Sequence, residues 1–314
     1  MAIFWAFVCL FFSAANDFLF KCFARKPRSH GYFVAIVGIA WLATGLCFVR
    51  SWDVDWRATV FWGVVSGFCS IAGNLLMLDA MRTLDGGVCS TIYRMNLVPV
   101  ALGAALLLDE TLTPLQWCGI AAACGAVILF LPANAALRRR EALPLAMMLG
   151  ASLIRAGMGL SYRYGFRHGA DKDMVVVLNS LFWIVGGVLY ALLRERKVLL
   201  AIPASERLSA KKLWGYGLLS GALVAGIVLT MAASLALAEG KASVVLSISQ
   251  MSFLLTGLLG VVILKEEVSW KRAAALLCGV AAILCLSLAP KAAEKTADAG
   301  APAEAVPSEP AAAK

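Results

Sequence analysis

The sequence predicts an all-α membrane protein: ten transmembrane helices arranged as two inverted five-helix repeats. Three observations predict it. The 314 residues are 61% hydrophobic and 15% charged, with a mean hydropathy of +0.83, whereas an ordinary soluble domain is roughly 45–50% apolar and about 25% charged. The apolar residues fall in blocks of about twenty, the length that crosses a hydrocarbon core of roughly 30 Å. Short motifs in the first half of the chain also recur in the second.

The blocks run over 2–21, 31–49, 58–81, 87–108, 114–131, 143–162, 174–193, 213–236, 242–264 and 271–289. The first carries Asn16 and Asp17, has no basic start, and lacks a small-x-small cleavage site before Lys21, so it reads as a retained span, not a signal peptide. The second follows Ser29-His30-Gly31, and the third contains "WGVVSG" at Trp62–Gly67. The fourth holds Tyr93, Arg94 and Asn96 and then Pro99, which predicts a kink and a freed carbonyl. An acidic turn at Glu110 leads into the fifth. The sixth has Arg155 deep inside it and ends in Arg163, before Arg167-His168-Gly169; the seventh holds Asn179 and Trp183. The eighth contains "YGLLSG" at Tyr216–Gly221. The ninth places Ser243, Ser247 and Gln250 on one helical face, and the tenth carries Cys278-Gly279.

At a constant offset of 154, Trp62–Gly67 falls on Tyr216–Gly221, Asp85-Gly86 on Glu239-Gly240, Asn96 on Gln250, Gly103 on Gly257 and Cys124-Gly125 on Cys278-Gly279. Ser29–Gly31 and Arg167–Gly169 instead match at 138, which sets Arg25 on Arg163 and Asp17 on Arg155. The longer charged connection 194–212 absorbs the difference. The first repeat is therefore 1–137 and the second 138–290, with an Ala/Pro/Glu/Lys-rich tail, 291–314, that reads as disordered. Five spans per unit is odd, so the second unit enters the membrane inverted, the architecture of many secondary transporters. The paired Gly-x-x-x-Gly steps read foremost as helix-packing faces.

The chain resembles the EamA-type branch of the drug/metabolite transporter superfamily. The resemblance rests on Asn16 followed by Lys21, the Ala80–Leu84 stretch, Pro99 in the fourth span, and the turns Glu110–Thr113 and Glu266–Ser269. Phe253 stands where the ninth span would repeat the proline, and Asp79 and Arg94 also depart from the pattern. The resemblance implies a secondary carrier of small metabolites, with both termini in the cytoplasm. The charge count disagrees. Lys and Arg heavily favour the loops after odd-numbered spans, which puts both termini outside by the positive-inside rule.

An ionisable residue at a helix centre costs about 2.5–3.5 kcal/mol on insertion scales and should have a partner or a wet path. Asp17, Arg94 and Arg155 are the deep ones. Sequence symmetry suggests that Asp17 and Arg155 meet across the centre. The plainer readings are an Asp17–Lys21 pair one turn apart and a snorkelling Arg155. With Tyr93, Asn96, Ser247 and Gln250 they make up the expected substrate-binding set. Nothing else chemical stands out: there is no phosphate-binding glycine motif, and the two histidines sit in loops. The nine cysteines form no Cys-x-x-Cys pair. No enzyme activity, metal or cofactor is expected. The expected partners are a small-molecule substrate, membrane lipid, a coupling proton or ion, and a second copy in a homodimer, with no nucleic acid. The expected location is the bacterial inner (plasma) membrane. The expected function is alternating-access export or exchange of a small polar metabolite, and the alternative is a non-transporting membrane scaffold.

Overall fold

The computed structural model describes residues 1–23, 29–80, 92–129, 142–195, 209–264 and 270–288. The described residues are helical, with no strand among them. The helices are α1 (Ala2–Phe23), α2 (His30–Leu46), α3 (Trp56–Ala80), α4 (Leu97–Leu107), α5 (Pro114–Leu129), α6 (Ala142–Arg167), α7 (Lys172–Tyr190), α8 (Ala210–Ala236), α9 (Ala242–Gln250), α10 (Ser252–Leu264) and α11 (Trp270–Leu288). A π-turn, Ala191–Glu195, prolongs α7. Among the described residues, five stretches are long and apolar enough to cross a membrane: Ala2–Leu19, Trp56–Met77, Leu143–Arg167, Lys172–Glu195 and Ala210–Ala236. The expected tail at 291–314 lies outside the described residues, as do Arg25, Asp85-Gly86 and Glu266; the side chain of Lys21 does too.

The distribution of polarity is that of a protein solvated by lipid. Phe11, Phe68, Leu106, Leu153 and Leu277 stand exposed on the outside, where contact with water would cost about 25 cal/mol for each Å². Ser66, Ser70, Ser180, Ser220, Ser234 and Ser243 are fully buried inside. A soluble monomer rarely exposes so large an apolar surface. The chain is an integral membrane protein.

Helix starts are set by ordinary caps. Ser29 Oγ accepts from Tyr32 N at 3.0 Å, and Asp171 Oδ1 accepts from Met174 N at 2.8 Å. The two tripeptides matched in sequence do different work. Ser29-His30-Gly31 opens α2, whereas Gly169, at φ +86°, turns the chain out of α6. That left-handed turn lets Ala170 N donate back to Gly165 O at 2.9 Å, and glycine adopts it without the steric penalty of a Cβ.

Packing follows the sequence repeat. α1 packs on α8 and α6 on α3; α8 packs on α2 and α3 on α7; α2 crosses α7 and α5 crosses α11. Exchanging the sequence-equivalent spans turns each contact into its counterpart. The glycine steps explain part of this. A Cβ on Gly63 or Gly67 would strike Leu178 or Phe182 of α7, and one on Gly217 or Gly221 would strike Ile36 or Ala40 of α2. Next to them, Ser66 Oγ donates to Asn179 Oδ1 at 2.9 Å and Ser220 Oγ donates to Asn16 Oδ1 at 2.7 Å. The glycines of "WGVVSG" and "YGLLSG" therefore seat counterpart crossings, whereas their serines bond to non-equivalent helices, α7 and α1.

Candidate functional site

The two stretches expected as the fourth and ninth spans are each interrupted, just before α4 and between α9 and α10. Pro99 has no N–H to give, and its ring crowds the carbonyl four residues back, that of Met95. The chain tightens there, with Met95 N donating to Ile92 O at 3.1 Å and Val98 N to Met95 O at 3.2 Å. α9 and α10 are separated at Met251 without a proline. Met251 N turns to Ile248 O and Leu254 N to Met251 O, each at 3.0 Å. The Gln250 carbonyl, which a regular helix would pair with Leu254 N, instead accepts from Arg94 Nη1 at 2.8 Å.

Arg94 is the hub of this junction. Its Nη2 donates to Asp17 Oδ2 at 2.6 Å, and its Nη1 also reaches Ser252 Oγ at 3.1 Å. Ser252 Oγ in turn donates to the same Asp17 oxygen at 3.0 Å. One carboxylate thus ties α1 to the breaks in both spans. The side chains are 17% exposed for Arg94 and 33% for Asp17, so the pair is neither sealed nor free in solvent.

The expectation that Asp17 meets Arg155 is corrected: Asp17 is paired with Arg94. The physical reason is packing. α1 lies against α8, α9 and α10, which brings Asp17 to the broken ninth span, whereas α6 packs mainly on α3, more lightly on α4, α8 and α9, and not substantially on α1. Arg155 stays apart. Its Nη1 reaches Met158 Sδ at 2.9 Å, and among the described residues it has no carboxylate partner. Its charge acts on Cys9, Tyr93 and Tyr162, all turned to the interior. The Tyr93 hydroxyl is buried without a hydrogen-bond partner, and so is Asn96 Oδ1.

Of the expected site residues, the structure joins Asp17, Arg94 and, through its backbone, Gln250. Tyr93 and Arg155 share a neighbouring region. Ser247 is not brought in, because its hydroxyl donates within its own helix to Ser243 O at 2.6 Å. Asn96 is buried at the turn. Ser252 is the residue that sequence reasoning missed; it lies two positions beyond Gln250 in a serine-rich run, and that was the only signal. Asn179 and Trp183 of α7 hold helices together: Asn179 Nδ2 donates to the Tyr162 hydroxyl at 2.5 Å, and Trp183 Nε1 donates to Ser70 Oγ at 2.8 Å.

A second charged cluster closes one end of the bundle. Glu110, buried, caps α9: it accepts from Ala242 N at 2.7 Å, Ser243 N at 3.2 Å and Ser243 Oγ at 2.8 Å. Arg163 lies 4.0 Å away and donates to the carbonyls of Leu235, Leu237 and Ala238 at the C-terminal end of α8. Arg167 donates to Leu108 O at 2.7 Å. Glu195 caps α2 in the same manner, accepting from Ser29 Oγ at 2.6 Å and from His30 N and Gly31 N at 3.0 Å. Among the described residues, no group of histidine, cysteine and acidic side chains is arranged to hold a metal ion.

The family model of the EamA-like transporter family matches residues 1–131. The first half of the chain is EamA-like. The match covers α1 to α5, bears out the resemblance read from the motifs, and is to a family of membrane transporters, not of enzymes. One solved crystal structure, 16% identical, covers 91% of this chain and 96% of its own, with a TM-score of 0.72; at that identity the likeness is one of fold. No curated protein matches the sequence.

Proposed function

We propose that this EamA-like chain is a secondary transporter that exports or exchanges a small polar metabolite across the bacterial inner membrane. Its ten spans act as two inverted five-helix repeats, 1–137 and 138–290, that rock about a central site. The observation that carries the reading is the Asp17–Arg94 pair, set where two broken spans meet. Discontinuous helices with freed backbone groups at the midplane are how many carriers build their sites. The exchange symmetry of the helix contacts supports the rocking halves. Asp17, Arg94, Tyr93, Asn96, Arg155 and Gln250 remain the proposed substrate-facing set, joined by Ser252. Asp17 is the group through which a proton would couple.

The test uses proteoliposomes of the full chain, preloaded with a mixture of amino acids, organic acids, sugars and nucleotides, with release followed by mass spectrometry. The expected result is saturable release of one chemical class, lost in Asp17→Asn and Arg94→Gln. No release of any solute from folded protein would overturn the reading and favour a non-transporting scaffold.

A further inference from the structure

Among the described residues, Arg155 is a charge without a counter-charge. In α6 it lies 13 residues after Ala142 and 12 before Arg167; at 1.5 Å per residue that is about 18–20 Å from either end. An arginine side chain that deep does not reach a lipid headgroup by snorkelling from its own helix. It lies on the inward stripe of α6, with Met148, Ala151, Ser152, Met158 and Tyr162, each at most 4% exposed. Its acceptor among the described residues is a thioether, which accepts hydrogen bonds weakly.

The surroundings do not supply the missing anion. Asp17 is committed to Arg94 and Ser252. Counting Arg94, Asp17 and Arg155 together, the centre carries one net positive charge. The Tyr93 hydroxyl, buried and unpartnered, feels both arginine charges. Tyr93 packs with Met148, which shares a face of α6 with Arg155. A guanidinium held only by a thioether together with a buried, unpartnered phenol O–H are donors that an oxyanion takes up, the guanidinium bidentately.

Resting on the transport reading, we infer that Arg155 and Tyr93 form an oxyanion subsite, and that the transported metabolite carries a carboxylate or phosphate group bound there. Arg94 and Asp17, already paired, frame the subsite and receive the remainder of the molecule.

The test is thermal unfolding of the full-length protein in uncharged detergent, with succinate and inorganic phosphate as anionic probes. Succinamide serves as the neutral counterpart, putrescine as the cationic one, and dispersed phosphatidylglycerol as the lipid arm. The expected result is saturable stabilisation by succinate or phosphate alone. Its apparent affinity falls about 10- to 100-fold in Arg155→Gln, the range for losing a hydrogen bond to a charged group, and falls less in Tyr93→Phe. Without probes, Arg155→Gln should unfold at or above the wild-type temperature, since it removes an unpaired charge; a marked loss there overturns the subsite by making Arg155 structural. Anion binding unchanged in Arg155→Gln overturns the location. Preference for succinamide or putrescine overturns the anion class, and stabilisation by phosphatidylglycerol alone assigns Arg155 to lipid. In the liposome assay, release of only neutral or cationic solutes sinks this inference and leaves transport standing. Absence of all release sinks transport, whatever the anions do here.

Discussion

The two charged clusters of this bundle are built from the same residue types and behave as opposites. At the end of the bundle, Glu110 accepts from two backbone amides and a hydroxyl, and the Arg163 Nη groups donate to three carbonyls, leaving only its buried Nε without a hydrogen-bond partner among the described residues. At the centre, Asp17 and Arg94 pair, but Arg155 has only a thioether and the Tyr93 hydroxyl has nothing. The buried end cluster meets all but one of these groups inside the protein, which is what a structural element needs in a solvent that offers none. The central cluster is left open. An unanswered donor in a membrane interior is expensive, and its persistence points to a ligand in place of a neighbour.

The contrast can be broken in four ways, from the largest expected effect downward. Glu110→Ala removes the cap of α9 and leaves Arg163 with no nearby carboxylate; the expected loss is about 3–5 kcal/mol, as when one member of a buried pair is deleted, read as a lowered unfolding midpoint. A loss below that seen at the centre would reverse the comparison. Gly221→Val drives side-chain atoms into Val37 O and Ala40 of α2, where even a Cβ has no room. Overpacking of that kind costs about 1–3 kcal/mol, and the same midpoint measures it. Asp17→Asn should cost only about 1 kcal/mol, the scale of interhelical polar contacts in membranes, yet abolish solute release from proteoliposomes. Retained release would sink the central site while leaving the fold untouched. Ser247→Ala removes a hydroxyl that serves only its own helix, and should change stability by less than about 0.5 kcal/mol; a large loss of release would return Ser247 to the site.

Much of the fold was legible because lipid enforces simple rules on sequence. Apolar blocks mark the helices, and glycines four apart mark close crossings, so Gly63, Gly67, Gly217 and Gly221 were readable as packing residues. The deep charges were readable for the same reason. Their pairing was not. Sequence symmetry gives equivalent positions in the two halves, but not which non-equivalent helix lies against each, so Asp17 was assigned to Arg155 when α1 in fact leans on α9 and α10. The break in the fourth span announced itself through Pro99. That in the ninth has no proline, and its cause is spread over several local hydrogen bonds between Ile248 and Leu254. Glu110 was visible as a turn residue, but its work is done on Ala242 and Ser243, in the other half of the chain.

The carboxylate caps also bear on how the chain is made. α2 leaves the ribosome long before Glu195 is synthesised, and α1 before Glu239, whose Oε1 accepts from Ala2 N at 3.0 Å. Glu110, conversely, waits for α9. During translation each of these helix ends must therefore enter the bilayer with amides that only a later or distant segment will satisfy. Biogenesis is thus not the sequential completion of one half followed by the other. Each half inserts as an unfinished object, dependent on the insertion machinery or headgroup water for its open ends, and becomes a finished one only when its sister arrives.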